Sequence, residues 1–457
     1  MSSWPWLLLA LGSAAAGAAE LKVGRAAVPI TPPAGTPMGS SYGLTISTGV
    51  HDELYAKALV FEQAGSRAAL VACDLISLRP PLVAEARAAI ERATGLRAEQ
   101  VILSATHTHC GPQINPRFLN LIGGKAAELG EACRAGLPVK IAEAVRRAIA
   151  DLRPARACAG MGHESGLSFN RRFLMRDGSV VMNPRKGSSD IVRPMAGIDP
   201  EVAVVYFDSP EKEPLATLVN FPMHCAIAGG SQFSADYPHV LARLLGRIKG
   251  PQMLTLFTMG AAGDVNHLDV RDIHQLSGQA EVERVGTVLA GEVIKTYARL
   301  EPLDPGAIRF RTERLELPPR EMAPGDLEKA REIFPRYGKA GGPPFLDVVW
   351  AWRTLDLAEL GGRPLAVDVQ AIALGDKVAW VGLPGEIFVD LGLAVKKASP
   401  FRYTAVSGMS ASGTISYVPT GVAFQQGSYE VVSARIASGE GEKLAEAAVR
   451  ILKALHP

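Results

Sequence analysis

Apolar strand-like runs alternate with amphipathic helical runs along almost the whole of this 457-residue chain, and that alternation limits the possible folds more than any other feature. "YAKALVFEQ", "AALVACDLI", "QVILSATHTH", "VAVVYFDS", "ATLVNFPMH", "MLTLFTMG", "VQAIALG" and "KVAWVGLPGE" are rich in Val, Leu and aromatic residues and are closed by Gly, Pro, Asn or Asp. Between them lie 82–95, 124–151, 238–248, 279–299, 326–336 and the final "GEKLAEAAVRILKALHP", whose apolar residues recur at three- and four-residue spacing. Strands interleaved with helices predict an α/β class, a mixed β-sheet core covered by helices. No low-complexity linker and no repeated motif interrupts the pattern, so one large domain over 20–457 is expected. The loosest stretch begins at 318 and reads as an insertion or lid. It runs on into "PPFLDVVWAWRTLDL" at 343–357, which suits an amphipathic cover or plain core.

Composition narrows the partners. Hydrophobic residues make up 47% and charged residues 21%, enough for a substantial core. Lys plus Arg number 48 against 46 for Asp plus Glu, which leaves no excess to draw the chain to nucleic acid or to an anionic membrane. The first 19 residues, "MSSWPWLLLALGSAAAGAA", have the form of an export signal cleaved near residue 19, and predict a periplasmic or secreted protein. The absence of Lys and Arg before the apolar part leaves an uncleaved N-terminal anchor as the other reading. No later window approaches the roughly 20 apolar residues of a membrane span. Cysteines at 73, 110, 133, 158 and 225 form no Cys-x-x-Cys pair, and their odd number leaves at least one unpaired. They read as small buried residues, and nothing in the sequence fixes an oligomeric state.

The chemistry-bearing residues gather where strands end. His107 and His109 follow "VILSAT", His224 follows "LATLVNFPM", Asp264 follows "LFTMGAAG" and Glu386 follows "VAWVGLPG". In α/β sheets the carboxyl ends of the strands are where binding sites form. Histidines with a carboxylate suit Zn²⁺, which keeps a position open for water. Spacing alone leaves two readings: a metal corner, or strands that end in ordinary hydrogen-bonded imidazoles. Asp236 and Asp264 fit either orientation of a metal ligand or simple turn capping. His267 and His274 read as loop residues that shape a pocket.

Five separated phrases then carry a resemblance. "SATHTHCGP", "NFPMHCAIAGGSQFSADYP", "MGAAGDVN", "LPGE" and "YVPTGVAFQQGSYE" resemble, in order and wording, the N-terminal catalytic domain of the neutral/alkaline non-lysosomal ceramidases. "AAVPITPP" and "NRRFLMRDGSVVMNP" extend the resemblance over roughly 22–435. It implies one Zn²⁺ per chain held by His107, His224, Glu386 and Tyr417. His109 would then be a hydrogen-bonding or acid/base partner beside the metal, and Tyr429 would face the polar part of the substrate. The implied activity is hydrolysis of an N-acyl amide of a lipid or acylated polar molecule, through metal-activated water. Asn170 and Arg171, with Arg172, would bind an anionic or hydroxylated group, and Asp236 would support the substrate side.

The chain departs from the family at one telling place. Where the ceramidases carry a serine three residues after the glycine of the Gly-Asp turn, this chain has Asn266, which can donate to an oxyanion but cannot be acylated. Two other functions therefore stay open. One is a zinc-containing binding protein without turnover. The other is hydrolysis of another bond (ester, glycoside or phosphoester), the last with Asp52, Asp74 and Asp264 serving a two-metal site.

Overall fold

The computed structural model describes residues 20–39, 42, 44–304, 306–410 and 415–457, so the expected export signal at 1–19 lies outside the described residues. Three consecutive stretches of chain fold with the same strand order. In the first, β1 (Lys22–Pro29), β2 (Tyr55–Gln63) and β3 (Ser66–Cys73) form an antiparallel meander. Helix α1 (Pro80–Thr94) carries the chain back, and β4 (Val101–Ala105) pairs parallel to β3, from Ala69↔Val101 to Cys73↔Ala105. Helix α2 (Gly124–Ala150) packs on α1 and on this sheet.

In the second, β5 (Arg156–His163), β6 (Glu201–Asp208) and β7 (Pro214–Phe221) repeat the meander, and α3 (Tyr237–Lys249) leads to β8 (Leu254–Met259), parallel to β7. Helix α4 (Gly278–Tyr297) packs against α3. The third stretch opens with β9 (Ile308–Leu317), α5 (Asp326–Ile333) and α6 (Phe345–Leu360), then β10 (Leu365–Leu374) and β11 (Val378–Gly382). Helix α7 (Val389–Ala398) returns the chain to β12 (Tyr403–Ser407), parallel to β11, and α8 (Glu440–Leu455) packs on α7.

Each sheet therefore ends in a β-α-β unit, because parallel neighbours can be joined only by a crossover. Strands β4, β11 and β12 are buried at every position, and β7 and β8 at all but the first. That explains their unbroken apolar wording, since parallel strands are covered on both faces. No sequence motif repeats among the three units, yet their topology does.

The sheets meet through their cores and through their carboxyl ends. Phe61 of β2, Phe207 of β6 and Trp380 of β11 join the three in one aromatic contact, with ring centroids 5.4 Å (Phe61–Phe207) and 5.2 Å (Phe61–Trp380) apart. Deleting a ring there, as in Phe61→Ala, carries a cost of about 3–5 kcal/mol. At the carboxyl ends, the Ala105 amide donates to Met409 O (3.1 Å) and the Gly408 amide to Met259 O (3.0 Å). The Asn220 side chain reaches Thr258 O at 3.2 Å and Val406 O at 3.0 Å. Ends of β4, β7, β8 and β12 are thus locked together.

The expected insertion at 318–357 holds α5 and most of α6; α6 buries Val348, Val349, Trp352 and Leu357 and is continuous with the core of the third sheet. All five cysteines are unpaired. Among the described residues no helix is long and apolar enough to cross a membrane.

Candidate metal centre and its cavity

His107 follows β4 in a left-handed conformation, φ 67°, which a histidine adopts only under constraint. Its amide donates to Leu75 O (3.0 Å) and its Nδ1 lies 2.6 Å from Ile76 O, both just beyond β3. His224 follows β7, and its Nδ1 lies 2.8 Å from Ala262 O and 3.0 Å from Val265 O in the loop after β8. Carbonyl oxygens only accept, so these partners assign the proton of each ring to Nδ1 and leave each Nε2 with a lone pair.

Those two lone pairs aim at one carboxylate. Glu386 Oε2 is 3.4 Å from His107 Nε2 and 3.1 Å from His224 Nε2. His109 adds its own Nε2 at 3.3 Å from that of His107. The three imidazoles offer ring nitrogens all within 4.8 Å of one another and could hold a metal ion. Glu386 reaches this point because Glu386–Ile387 pairs parallel with Tyr417–Val418, which sets Tyr417 beside it. The preceding Gly385 has φ 93°, and a Cβ there would lie 2.4 Å from Ser416 O, so only glycine fits.

Acceptors crowded this closely repel unless a cation lies among them. Burial and the neighbouring Arg171 push His224 down to about 4, so its ring is neutral at pH 7 and supplies no cation itself. Burial pushes His109 well below its usual value too, followed by the other two imidazoles. Burial alone would raise Glu386; positive charge at the His107 and His224 side of the carboxylate holds it well below the usual carboxylate range, the part a bound cation plays when the rings are neutral. Neutral imidazoles and an ionised carboxylate are the forms a metal ligates. Donor separations of 3.1–3.4 Å also match the edge of a tetrahedron around Zn²⁺, about 3.3 Å for bonds near 2.0 Å.

Around this point the backbone is strained as functional sites are. Besides His107, positive φ occurs at Met409 (56°), at Ser416 (59°) just before Tyr417, and at Ser428 (79°) just before Tyr429. Arg171 ties the two tyrosines to the histidines. Its Nη2 donates to the Tyr417 hydroxyl (2.9 Å), its Nε to Glu430 Oε1 (2.8 Å), and its Nη1 lies 3.3 Å from His224 Nε2. Burial disfavours that charge, yet Tyr417, Glu430 and Glu386 hold Arg171 protonated. Burial raises the Tyr417 and Tyr429 phenols, so without a cation both keep their protons.

A cavity of about 90 Å³ opens onto these groups, lined by His107, His109, Glu386, Tyr417 and Tyr429 on one side. Arg79, Phe118, Trp352 and Arg353 line the other. That is room for several waters, or for one small polar group and its neighbours.

Other expected residues have different partners. Asp264 accepts the amide of Val389 (2.8 Å) and the side chain of Asn170 (2.8 Å), pinning the start of α7 three residues past Glu386. Asp236 accepts the amides of Ile227, Ala228 and Tyr237 at 2.8–2.9 Å and shapes the loop after His224. Asn266 donates to Asn183 Oδ1 and accepts from the Leu268 amide, both at 3.0 Å. Asn170, Asp236, Asp264 and Asn266 do not line the cavity. Asp52 bonds Ser234 and faces His51 and His239, and Asp74 bonds Tyr55 and Thr106, so neither joins His107, His109 and His224. His267 and His274 also lie elsewhere. Missed by sequence reading were Arg79, the Trp352–Arg353 pair and Glu430; the one available signal was the "WR" inside an apolar helix.

No family model matches the chain. One segment is 30% identical over 186 residues to the neutral ceramidase of Pseudomonas aeruginosa, and covers 39% of this chain but 26%, about a quarter, of that relative. The crystal structure of neutral ceramidase from Pseudomonas aeruginosa superposes with a TM-score of 0.73 at 21% identity, over 96% of this chain and 75% of that one. A structure described as a ceramidase complexed with C2 gives 0.72 at 19% identity, over 96% and 76%. The predicted α/β class and the resemblance to the neutral ceramidases are both borne out, and the fold is theirs.

Proposed function

We propose, for a chain that resembles the neutral ceramidases in sequence and has their fold, a zinc-dependent amidohydrolase that cleaves an N-acyl bond of a lipid or of an acylated polar small molecule. The observation that carries it is the convergence of two imidazole lone pairs and one carboxylate oxygen at 3.1–3.4 Å in a buried corner beside a cavity. In this reading His107, His224, Glu386 and Tyr417 hold one Zn²⁺ per chain, and His109 stands beside it. Bound there, zinc supplies Lewis acidity and makes water acidic enough to act at neutral pH.

The chain's own groups have defined parts. Neutral His109 can take a proton as water adds to the amide carbon, then return it to the departing nitrogen as the C–N bond breaks. Tyr429, kept protonated by burial, can donate to the carbonyl oxygen as charge builds on it. Arg171 positions Tyr417 and restrains the Glu430 side of the site. Asn266 cannot be acylated, and its amide is committed to Asn183 and Leu268, so no acyl-enzyme is invoked. A cavity of about 90 Å³ holds the amide and its nearest substituents, so a long acyl chain must extend out of it. Export through the segment at 1–19 belongs to the same proposal.

The test is fatty-acid release from N-acyl lipids and acylated amino sugars by purified protein, with zinc measured in the same sample. His107→Ala should lose both metal and turnover. Unchanged turnover in that variant would defeat the metal mechanism.

A further inference from the structure

The cavity wall opposite the histidines holds donors in excess of acceptors. Arg353 is 6% exposed; its Nη2 donates to Ser416 Oγ (2.7 Å) and its Nη1 to Asp356 Oδ2 (3.3 Å). Its Nε is buried without a hydrogen-bond partner, and so is Nε1 of the adjacent Trp352. Arg79, at the start of α1, is held only by the Trp352 ring, 5.7 Å from its guanidinium carbon; among the described residues no carboxylate pairs with it. Arg353 lies 4.1 Å from that same ring.

Charge on this wall is equally one-sided. Asp356 is surrounded by Arg353, by Arg117 (3.5 Å) and by Arg435 (4.0 Å), and feels Arg79 as well. Glu359, a more exposed carboxylate, pairs with Arg117. Burial disfavours the charge on both Arg79 and Arg435, pulling Arg435 down to about 10, and the crowding of like charges adds to it. A half-buried guanidinium without a counter-charge of its own, as at Arg79, is costly, and the group that satisfies it from the cavity is an anion rich in acceptor oxygens.

We infer that the substrate carries a carboxylate on the polar side of its scissile amide, as an N-acyl amino acid does, and that Arg79 and Arg353 bind that carboxylate with Trp352 as their platform. This deepens the amidohydrolase reading and rests on it. It also differs in kind from a neutral N-acyl lipid, which would leave the Arg79 guanidinium without a counter-charge. The cavity volume agrees: about 90 Å³ accommodates an amide and a neighbouring carboxylate, with the acyl chain leaving through the mouth.

The experiment compares N-lauroylglycine with N-lauroylethanolamine, matched in chain and amide but charged only in the first. Hydrolysis is followed by released laurate, and equilibrium binding is followed separately by calorimetry. Wild-type protein should favour the glycine conjugate in both. Arg79→Gln, at a site with no ion pair to break, should weaken binding of the glycine conjugate by roughly tenfold to a hundredfold and shrink its preference over the ethanolamide accordingly. Arg353→Lys, which keeps the charge near Asp356 but loses the planar fork, should lose part of the preference. Equal binding and turnover of the two compounds, or an equal loss for both in Arg79→Gln, overturns the inference. Preferential carboxylate binding without any hydrolysis would instead sustain it and count against the amidohydrolase reading.

Discussion

Gly263→Ala tests whether the position of Glu386 governs metal binding. Gly263 lies in the loop after β8, and its amide donates to Ile387 O at 2.7 Å. A Cβ built on it would stand 2.2 Å from Glu386 O, 2.8 Å from its carbonyl carbon and 3.0 Å from that of Ile387. Each of these is backbone, so no side chain can swing aside. Ordinary contact would require the two segments to part by about 1 Å, whereas metal sites tolerate displacements of about 0.2 Å in their ligand distances. We predict a loss of about 1–3 kcal/mol in the stability of metal-free protein, from overpacking. Zinc affinity should fall by at least tenfold to a hundredfold, as when ligand-orienting contacts are removed. Urea unfolding without metal and competition with a chromophoric chelator measure the two separately. Gly291→Ala, on the exposed side of α4 with nothing near its Cβ, is the control and should stabilise by about 0.5–1 kcal/mol. Wild-type zinc affinity in Gly263→Ala would refute the reasoning, because the clash cannot be relieved without moving Glu386 or the loop that holds His224.

Three further outcomes follow from single contacts. His109→Ala should keep about one zinc per chain while losing most of kcat; loss of the metal would instead assign the ligand role to the three imidazoles. Arg171→Met leaves Glu430, which is fully buried, with Arg172 at 3.5 Å as its remaining partner, and should cost about 3–5 kcal/mol in urea unfolding; Arg171→Met combined with Glu430→Leu should regain much of that. Burial raises Asp236 to about 6 against roughly 3.9 in an unfolded chain, so the folded state binds this proton more tightly. Its contribution to stability should therefore fall as pH rises from about 4 to about 6 and level off above, by an amount on the order of 2–3 kcal/mol that Asp236→Asn removes.

The sequence made the α/β class legible because the parallel strands, buried on both faces, read as unbroken apolar runs bounded by Gly and Pro. His107, His224 and Glu386 were legible for a related reason: each is a polar residue just past such a run, where an α/β sheet places its sites. Tyr417 and Tyr429 carried no such mark. The β-bridge between Tyr417 and Glu386, which gives the first its place, is a long-range pairing that local pattern cannot reveal, and only the family resemblance raised either residue. The threefold recurrence of meander and crossover was hidden because topology recurs without wording. Arg79 and Arg353 were hidden differently. Arg79 caps the start of α1 and Arg353 sits in α6, far apart in sequence, and an arginine in either place reads as a surface residue until its surroundings are known.

The central claim is a single metal site that performs amide hydrolysis. The most direct measurement is metal content and acyl release on the same preparation, before and after chelation and for His107→Ala. The account predicts one zinc per chain, fatty-acid release from an N-acyl substrate, and loss of both on chelation or in His107→Ala. Acyl release that persists at full rate in metal-free protein would contradict it.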